Sequence, residues 1–354
     1  MINAVSGAPI IQTEVDPIMK VSLKQLSERT GLSISTVSRV MTGKGYVSAE
    51  ARAAIEKAAA ELGYVRPHQE ASMLNDPGST VLIIVGGIKS SLAASTVEIL
   101  VDNLEKRQKR PFVMITGFSP ERERACLQFA IDNHIFGVIG MTIMETPETI
   151  EMLRNFPCPI TMIDRYLPSL DLDYLRPDYY KMGYDAAEYL IAHGHTRIAF
   201  IGGSKSSPIT QDKKIGFEDC MNAHRLPIHP EWIMHVERLI YENGKLIADR
   251  ILNMAERPTA IVTSNDISVS ILNELLVRGL RVPEDMSIFV CEDSSMAEYC
   301  QIPLTAMMVD EKRIAADAVK TLCRRHNQPH APHCFLNYTP RLIERASVAP
   351  PKKP

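Results

Sequence analysis

The spacing of apolar residues changes character twice along this 354-residue chain. Between Val21 and Tyr64 they recur at helical intervals in short runs. Ser22 is placed to cap a helix through Leu23, Leu26 and Arg29, which Gly31 stops. Ser33 caps a second through Val37 and Met41. After the loop Gly43-Lys44-Gly45, Ser48 caps a third, alanine-rich helix that ends at Gly63. Leu23, Leu26, Leu32, Val37, Val40, Ile55, Ala59 and Leu62 form the expected core. The breakers Pro67, Pro77 and Gly78 mark a hinge over residues 67–79. Beyond it the pattern becomes one of continuous apolar runs: Val81–Val85, Phe112–Ile115, Gly137–Met141, Ile160–Ile163, Ile198–Ile201, Ala260–Val262 and Ser287–Val290. These predict buried parallel strands. Helical patterns lie between them, as at Ala93–Arg107, Tyr179–Ala192 and Ile267–Arg278. The alternation predicts doubly wound parallel sheets. Roughly 270 residues of it exceed what one sheet needs, so two lobes are expected. The expected fold is a small all-α headpiece (20–66) and an α/β body of two doubly wound parallel-sheet lobes (80–347). Residues 1–19 and 348–354 read as a flexible and a disordered tail, and Met19 offers an alternative translation start.

Charge sharpens this division. The whole chain carries a formal −3. Residues 20–74 hold eight Lys/Arg against five Asp/Glu, a surplus of three, which leaves the remainder at −6. A basic head on an acidic body suits a polyanion at one end only. Seven scattered cysteines, an odd number without Cys-x-x-Cys, fit free thiols in a reducing cytosol. No apolar run has the length of a membrane span, and the first sixteen residues lack a signal-peptide pattern.

Leu23–Val40 is a helix-turn-helix: two short helices, a glycine turn, and a polar second helix whose N-terminus can enter the major groove. Ser33, Thr36 and Ser38 offer hydroxyls to phosphates. Arg39 can donate twice to a guanine, and Ile34, beside Ser35 at the exposed front, can pack on a thymine methyl.

Gly31-Leu-Ser-Ile-Ser-Thr-Val-Ser-Arg-Val40, Val47-Ser48 and Glu61-Leu-Gly-Tyr64 resemble the headpiece of the lactose/galactose repressor family. The resemblance continues through Pro159–Arg165, Arg176-Pro-Asp178, Leu190–Gly203, Ser264-Asn-Asp266, Gly279–Asp285 and Leu342–Arg345, and covers roughly residues 20–347. It implies a periplasmic-binding-protein-like body whose chain crosses between lobes near Arg165–Pro177, near Pro303–Val309 and near the last strand. It implies a homodimer on a near-palindromic duplex operator, with a small sugar or sugar phosphate between the lobes. Leu74 matches the hinge wedge that enters the minor groove, although Glu70, Ser72 and Asn75-Asp-Pro77 depart from a usually basic stretch. Asp178, Lys213, Asn265, Asp266 and Glu292 match effector contacts. Lys213 stands where arginine is usual and Glu292 where aspartate is. Gly86-Gly-Ile-Lys-Ser-Ser-Leu92 lacks the sugar-stacking aromatics common after the first strand.

Other signals are weaker. Cys323–Cys334 mixes Cys and His, but its two prolines scatter the side chains, so no metal is expected there. His193-Gly-His195 reads as a helix end with a glycine cap. Gly202-Gly203 lacks the full phosphate-loop spacing. No nucleophile elbow or Walker loop is present. The chain therefore reads as a cytoplasmic regulator of carbohydrate genes with no catalytic residue and no cofactor. The alternative is a sugar-binding protein without a DNA role.

Overall fold

A computed structural model describes residues 21–42, 47–62, 64, 78–264 and 266–352. The expected N-terminal tail, the loop at Gly43-Lys44-Gly45, Leu74 with most of the hinge, and Asn265 lie outside the described residues. The chain divides into two units, residues 1–76 and 77–354.

The first unit holds helices α1 (Leu23–Thr30), α2 (Ile34–Thr42) and α3 (Ala49–Leu62). The Ser22 amide donates to Gln25 Oε1 at 2.7 Å and Ser22 Oγ accepts from the Gln25 amide at 3.4 Å, a reciprocal cap at α1. Gly31 ends α1 at φ +68°, a left-handed conformation glycine adopts without a Cβ clash. Leu26, Val37, Val40, Met41, Ile55 and Ala58 are buried, with Leu23, Leu32 and Ala59 packed around them. Leu62, expected in this core, is instead 37 % exposed. Beside it, Glu61 forms an exposed ion pair with Arg29 of α1 (3.2 Å).

The second unit begins with β1 (Thr80–Val85), α4 (Ser91–Glu105), β2 (Arg110–Ile115), α5 (Pro120–Asp132), β3 (Gly137–Gly140), α6 (Pro147–Arg154), β4 (Ile160–Ile163) and β5 (Asp173–Pro177). A second lobe follows: α7 (Tyr179–Ala192), β6 (Ile198–Gly202), α8 (Pro208–Ala223), β7 (Ile233–His235), α9 (Gly244–Leu252), β8 (Ala260–Thr263), α10 (Ile267–Val277), β9 (Ser287–Val290), α11 (Ser295–Tyr299) and β10 (Thr305–Met308). The chain returns for α12 (Glu311–Asn327) and β11 (Phe335–Tyr338), then crosses back for β12 (Arg341–Ile343). Two six-stranded sheets result, ordered β11-β5-β4-β3-β1-β2 and β12-β10-β9-β8-β6-β7. Every strand pair is parallel except β10–β12. The crossings fall just after Pro177, between Met308 and Glu311, and at Thr339–Pro340.

All seven expected strands are present. Two stretches read as connectors contain strands of their own, β5 and β10. The β5 sequence conceals itself because Asp173 and Arg176 are buried in the sheet. Asp173 accepts from Arg325 Nε at 2.9 Å, and Arg176 pairs with Asp212. Such charges enter a sheet only when a distant partner compensates them. Conversely, Phe112–Ile115, expected to be buried, lies on the edge strand β2 with Phe112 and Ile115 exposed.

In the second lobe α7 and α8 touch backbone to backbone. A Cβ on Gly183 would lie 1.9 Å from the Lys213 carbonyl oxygen, and one on Gly216 2.0 Å from that of Tyr180. Only glycine fits at either crossing point.

The C-terminal segment expected to be disordered is anchored through residue 352. Ser347 is buried and its hydroxyl donates to the Ile288 carbonyl at 2.6 Å. The Ala349 amide donates to Ser287 Oγ at 3.1 Å, and Val348 packs on the lobe core. His195 receives this segment: its Nε2 lies 2.9 Å from the Ala349 carbonyl and its Nδ1 2.9 Å from Thr259 Oγ1. Burial pushes the imidazole down to about 4. With the folded value below the unfolded one near 6.5, the unfolded chain binds the extra proton between those values, so stability falls as pH drops through that window. His195→Gln is expected to remove up to about 3 kcal/mol of that pH dependence. Urea melts at pH 7 and pH 5 check it; an unchanged wild-type–variant difference contradicts the assignment.

Candidate functional site

In the first unit, α2 turns Val37, Val40 and Met41 inward. Its opposite side presents Ile34 (51 % exposed), Ser35 and Arg39, with Ser38 half-buried. Ile34 and Ser38, and likewise Ser35 and Arg39, are four residues apart and so share one helical ridge. Ser33 Oγ lies 3.3 Å from the Thr36 amide and 2.9 Å from both Ser35 Oγ and Thr36 Oγ1, a hydroxyl cluster at the helix N-terminus. That end offers free amide donors to phosphate. Six of the seven expected DNA-reading residues thus lie together; Leu74 is outside the described residues.

In the second unit a cleft of about 1710 Å³, counting its open mouth, lies between the lobes. It is lined where strands end: Val85 at the end of β1, Met141 and Thr142 after β3, Asp164 and Arg165 after β4, Gly203 after β6, Ser264 after β8 and Glu292 after β9. Ligands bind at such carboxyl ends because loops there carry polar groups without breaking the sheet.

Lys213 projects from α8 into this lining, 3 % exposed. Its Nζ donates to Glu292 Oε2 at 2.6 Å and to Ser264 Oγ at 3.1 Å, and lies 5.0 Å from the centroid of the Tyr179 ring. The Tyr179 hydroxyl donates to Asp164 Oδ1 at 3.0 Å. Burial, with the nearby Glu292 charge, raises the Asp164 carboxyl to about 6. Burial also lowers the Arg165 guanidinium from its ordinary value. The lining therefore alternates charge signs within a few side chains.

Of the expected effector residues, Lys213 and Glu292 line the cleft. Asp178 and Asp266 are engaged elsewhere. Asp178 caps α7 by accepting from the Lys181 amide at 2.9 Å, and its own amide donates to the Tyr338 carbonyl at 3.0 Å, at a lobe crossing. Asp266 accepts from Ser91 N at 2.9 Å and Ser91 Oγ at 2.7 Å, joining the second lobe to the first turn of α4 in the first. Two further links join the lobes: Lys89–Glu242 at 3.0 Å and Arg238 Nη2 to the Gly117 carbonyl at 3.0 Å.

An aromatic surface, missing from the sequence after β1, is supplied by another loop. Phe118, at φ +61°, places its ring beside Gly86, where a Cβ would meet it at 2.4 Å. Arg238 lies over the same ring at 4.6 Å. Ser204, Ser206 and Ser207 line the cleft just before α8. Asp164 and Arg165 were discoverable as the polar pair that directly follows an apolar strand; nothing in the sequence placed Phe118.

A helix-turn-helix unit followed by a two-lobed body with an interlobe cleft is the layout of a DNA-binding regulator. Residues 22–67 match the model for bacterial regulatory proteins of the lacI family, and residues 187–348 that for a periplasmic binding protein-like domain. The HTH-type transcriptional repressor PurR of Pasteurella multocida (strain Pm70) is 26 % identical over 92 % of this chain and 98 % of its own length. A transcriptional regulator CelR–cellobiose complex shares the fold at TM-score 0.70 and 22 % identity, covering 93 % of this chain and 100 % of that one. So does a lac repressor dimer bound to operator and the anti-inducer ONPF, at TM-score 0.69 and 19 % identity, covering 93 % and 99 %. The chain belongs to the lacI family of bacterial regulatory proteins and is a DNA-binding transcriptional regulator, not an enzyme. Among the described residues no helix is long and apolar enough to cross a membrane.

Removing one member of the Lys213–Glu292 pair leaves the other buried without its partner. Lys213→Met is expected to destabilise the body by about 3–5 kcal/mol, with Lys213→Met/Glu292→Gln recovering much of the loss. Urea unfolding of both variants measures this; a Lys213→Met protein as stable as wild type contradicts a compensated buried pair.

Proposed function

We propose that this protein is a homodimeric, cytoplasmic repressor of carbohydrate-utilisation genes that grips a near-palindromic operator under control of a sugar phosphate held between its lobes. The observation that carries the effector class is the pairing, in one cleft, of the Phe118 ring with the serine loop at the start of α8. An aromatic face suits the apolar face of a sugar ring. Serine hydroxyls at a helix N-terminus suit a phosphate. Asp164, Glu292 and Lys213 supply donors and acceptors for hydroxyls. The cellobiose-bound CelR structure supports a sugar on this fold, and the names of the repressor relatives support the sense of regulation.

Exposed apolar side chains support the dimer. Phe112, Val113 and Ile115 lie open on β2, and Leu246 and Val277 on the packed pair α9 and α10. Apolar surface of this kind is usually covered by a partner. The lac repressor dimer on its operator supports a symmetric pair of α2 helices on a pseudo-palindrome.

Footprinting upstream of the protein's own gene tests the DNA role. Full-length protein is expected to protect a symmetric site, and a version starting at Ser79 is not. Arg39→Ala is expected to cost about 1–3 kcal/mol on the cognate site and to relax base preference at one position per half-site. Equal losses on cognate and random DNA contradict base readout by Arg39.

A thermal-shift screen of sugars and sugar phosphates tests the cleft. A phosphorylated sugar is expected to raise Tm, with Phe118→Ala weakening it about tenfold through lost ring contact. Stabilisation by neutral sugars alone contradicts the phosphate assignment.

A further inference from the structure

Far along α7 and α8 from their cleft-lining residues lie three side chains that neither DNA reading nor effector binding uses. Glu188 stands on α7; Cys220 stands on α8, and His224 is the residue that caps the end of α8 one turn further on. Glu188 Oε2 lies 2.9 Å from His224 Nε2 and 3.4 Å from Cys220 Sγ. All three potential ligand atoms fall within 4.8 Å of one another.

We propose that Glu188, Cys220 and His224 form a binding site for a zinc-class divalent cation, with water as the fourth ligand. Tetrahedral zinc has bonds of about 2.0–2.3 Å, which sets edges of roughly 3.3–3.8 Å between ligand atoms. The present separations need only small side-chain shifts to reach that range. A thiolate, an imidazole and a carboxylate together select zinc over calcium or magnesium, which prefer oxygen donors alone.

Access and rigidity support the site. Cys220 is fully buried, whereas the Glu188 and His224 side chains are 47 % and 38 % exposed. The ion thus has an entry path on one side and a fixed sulfur on the other. The helices already touch backbone to backbone at Gly183 and Gly216, so they cannot come closer. The thiol proton passes to bulk water as the metal–sulfur bond forms, and thiolate and carboxylate together neutralise the two positive charges. Sequence reading missed the trio because Glu188 lies 32 residues before Cys220.

Cobalt(II) reports on this directly. Full-length protein freed of metal by chelation and titrated with Co²⁺ is expected to give, at one equivalent, a thiolate-to-cobalt charge-transfer band and intense visible bands of tetrahedral geometry. Zn²⁺ is expected to bleach both. Cys220→Ser is expected to lose the charge-transfer band. His224→Gln changes an exposed residue and tolerates folding; it is expected to weaken Co²⁺ binding about tenfold or more. Absence of the band, its survival in Cys220→Ser, or unchanged affinity in His224→Gln overturns the proposal and leaves an exposed Glu–His ion pair above a buried thiol.

Discussion

Two helices pressed together through glycine set the geometry of the second lobe. At Gly183 and Gly216 the backbones of α7 and α8 meet with no room for a β-carbon. From that contact the N-terminal part of α7 delivers Tyr179 and the first half of α8 delivers Lys213 to the interlobe cleft. The opposite ends of the same helices bring Glu188 to Cys220 and His224. A methyl group at either glycine forces the helices apart, and ångström shifts there move groups at both ends. Interiors are packed too densely to absorb such a change locally.

The cleft relies on charges that burial makes costly and pairing makes tolerable. Lys213 and Glu292 sit out of water at 2.6 Å, braced by Ser264. A ligand bringing hydroxyls to this floor meets donors and acceptors already oriented, which lowers the ordering cost of binding. Interlobe links from Asp266, Arg238 and Glu242 to the first lobe bridge the same opening. An effector that changes the spacing of the lobes must strengthen or break these contacts, and its influence on the body is limited to that difference in free energy.

Much of the architecture was legible because the signals were local. Helix caps at Ser22 and Ser33 and the turn at Gly31 involve groups a few residues apart, so the headpiece follows from short-range chemistry. Seven strands were legible as apolar runs, since a strand buried on both faces has no room for polar residues. Strand β5 was hidden because its charges Asp173 and Arg176 look like loop chemistry until Arg325 and Asp212 are brought beside them. The C-terminal segment looked disordered because its small and proline-rich sequence makes no local structure; its order comes from Ser287 and His195, far away in the chain.

The effector residues divide in the same way. Glu292 reaches the cleft just beyond β9, a strand whose course the apolar pattern already determined, whereas Lys213 reaches it from within α8. Asp178 and Asp266 have the right residue type at the right strand ends, yet their carboxylates are taken by a helix cap and an interlobe link. The sequence by itself determined the two-unit layout, the reading helix and the positions of most strands, because helical and strand periodicity are properties of neighbouring residues. Only the tertiary structure decided which charges meet, which carboxylates are already engaged, and that Phe118 supplies the aromatic face. Those outcomes depend on contacts between segments tens of residues apart, and no local pattern encodes them.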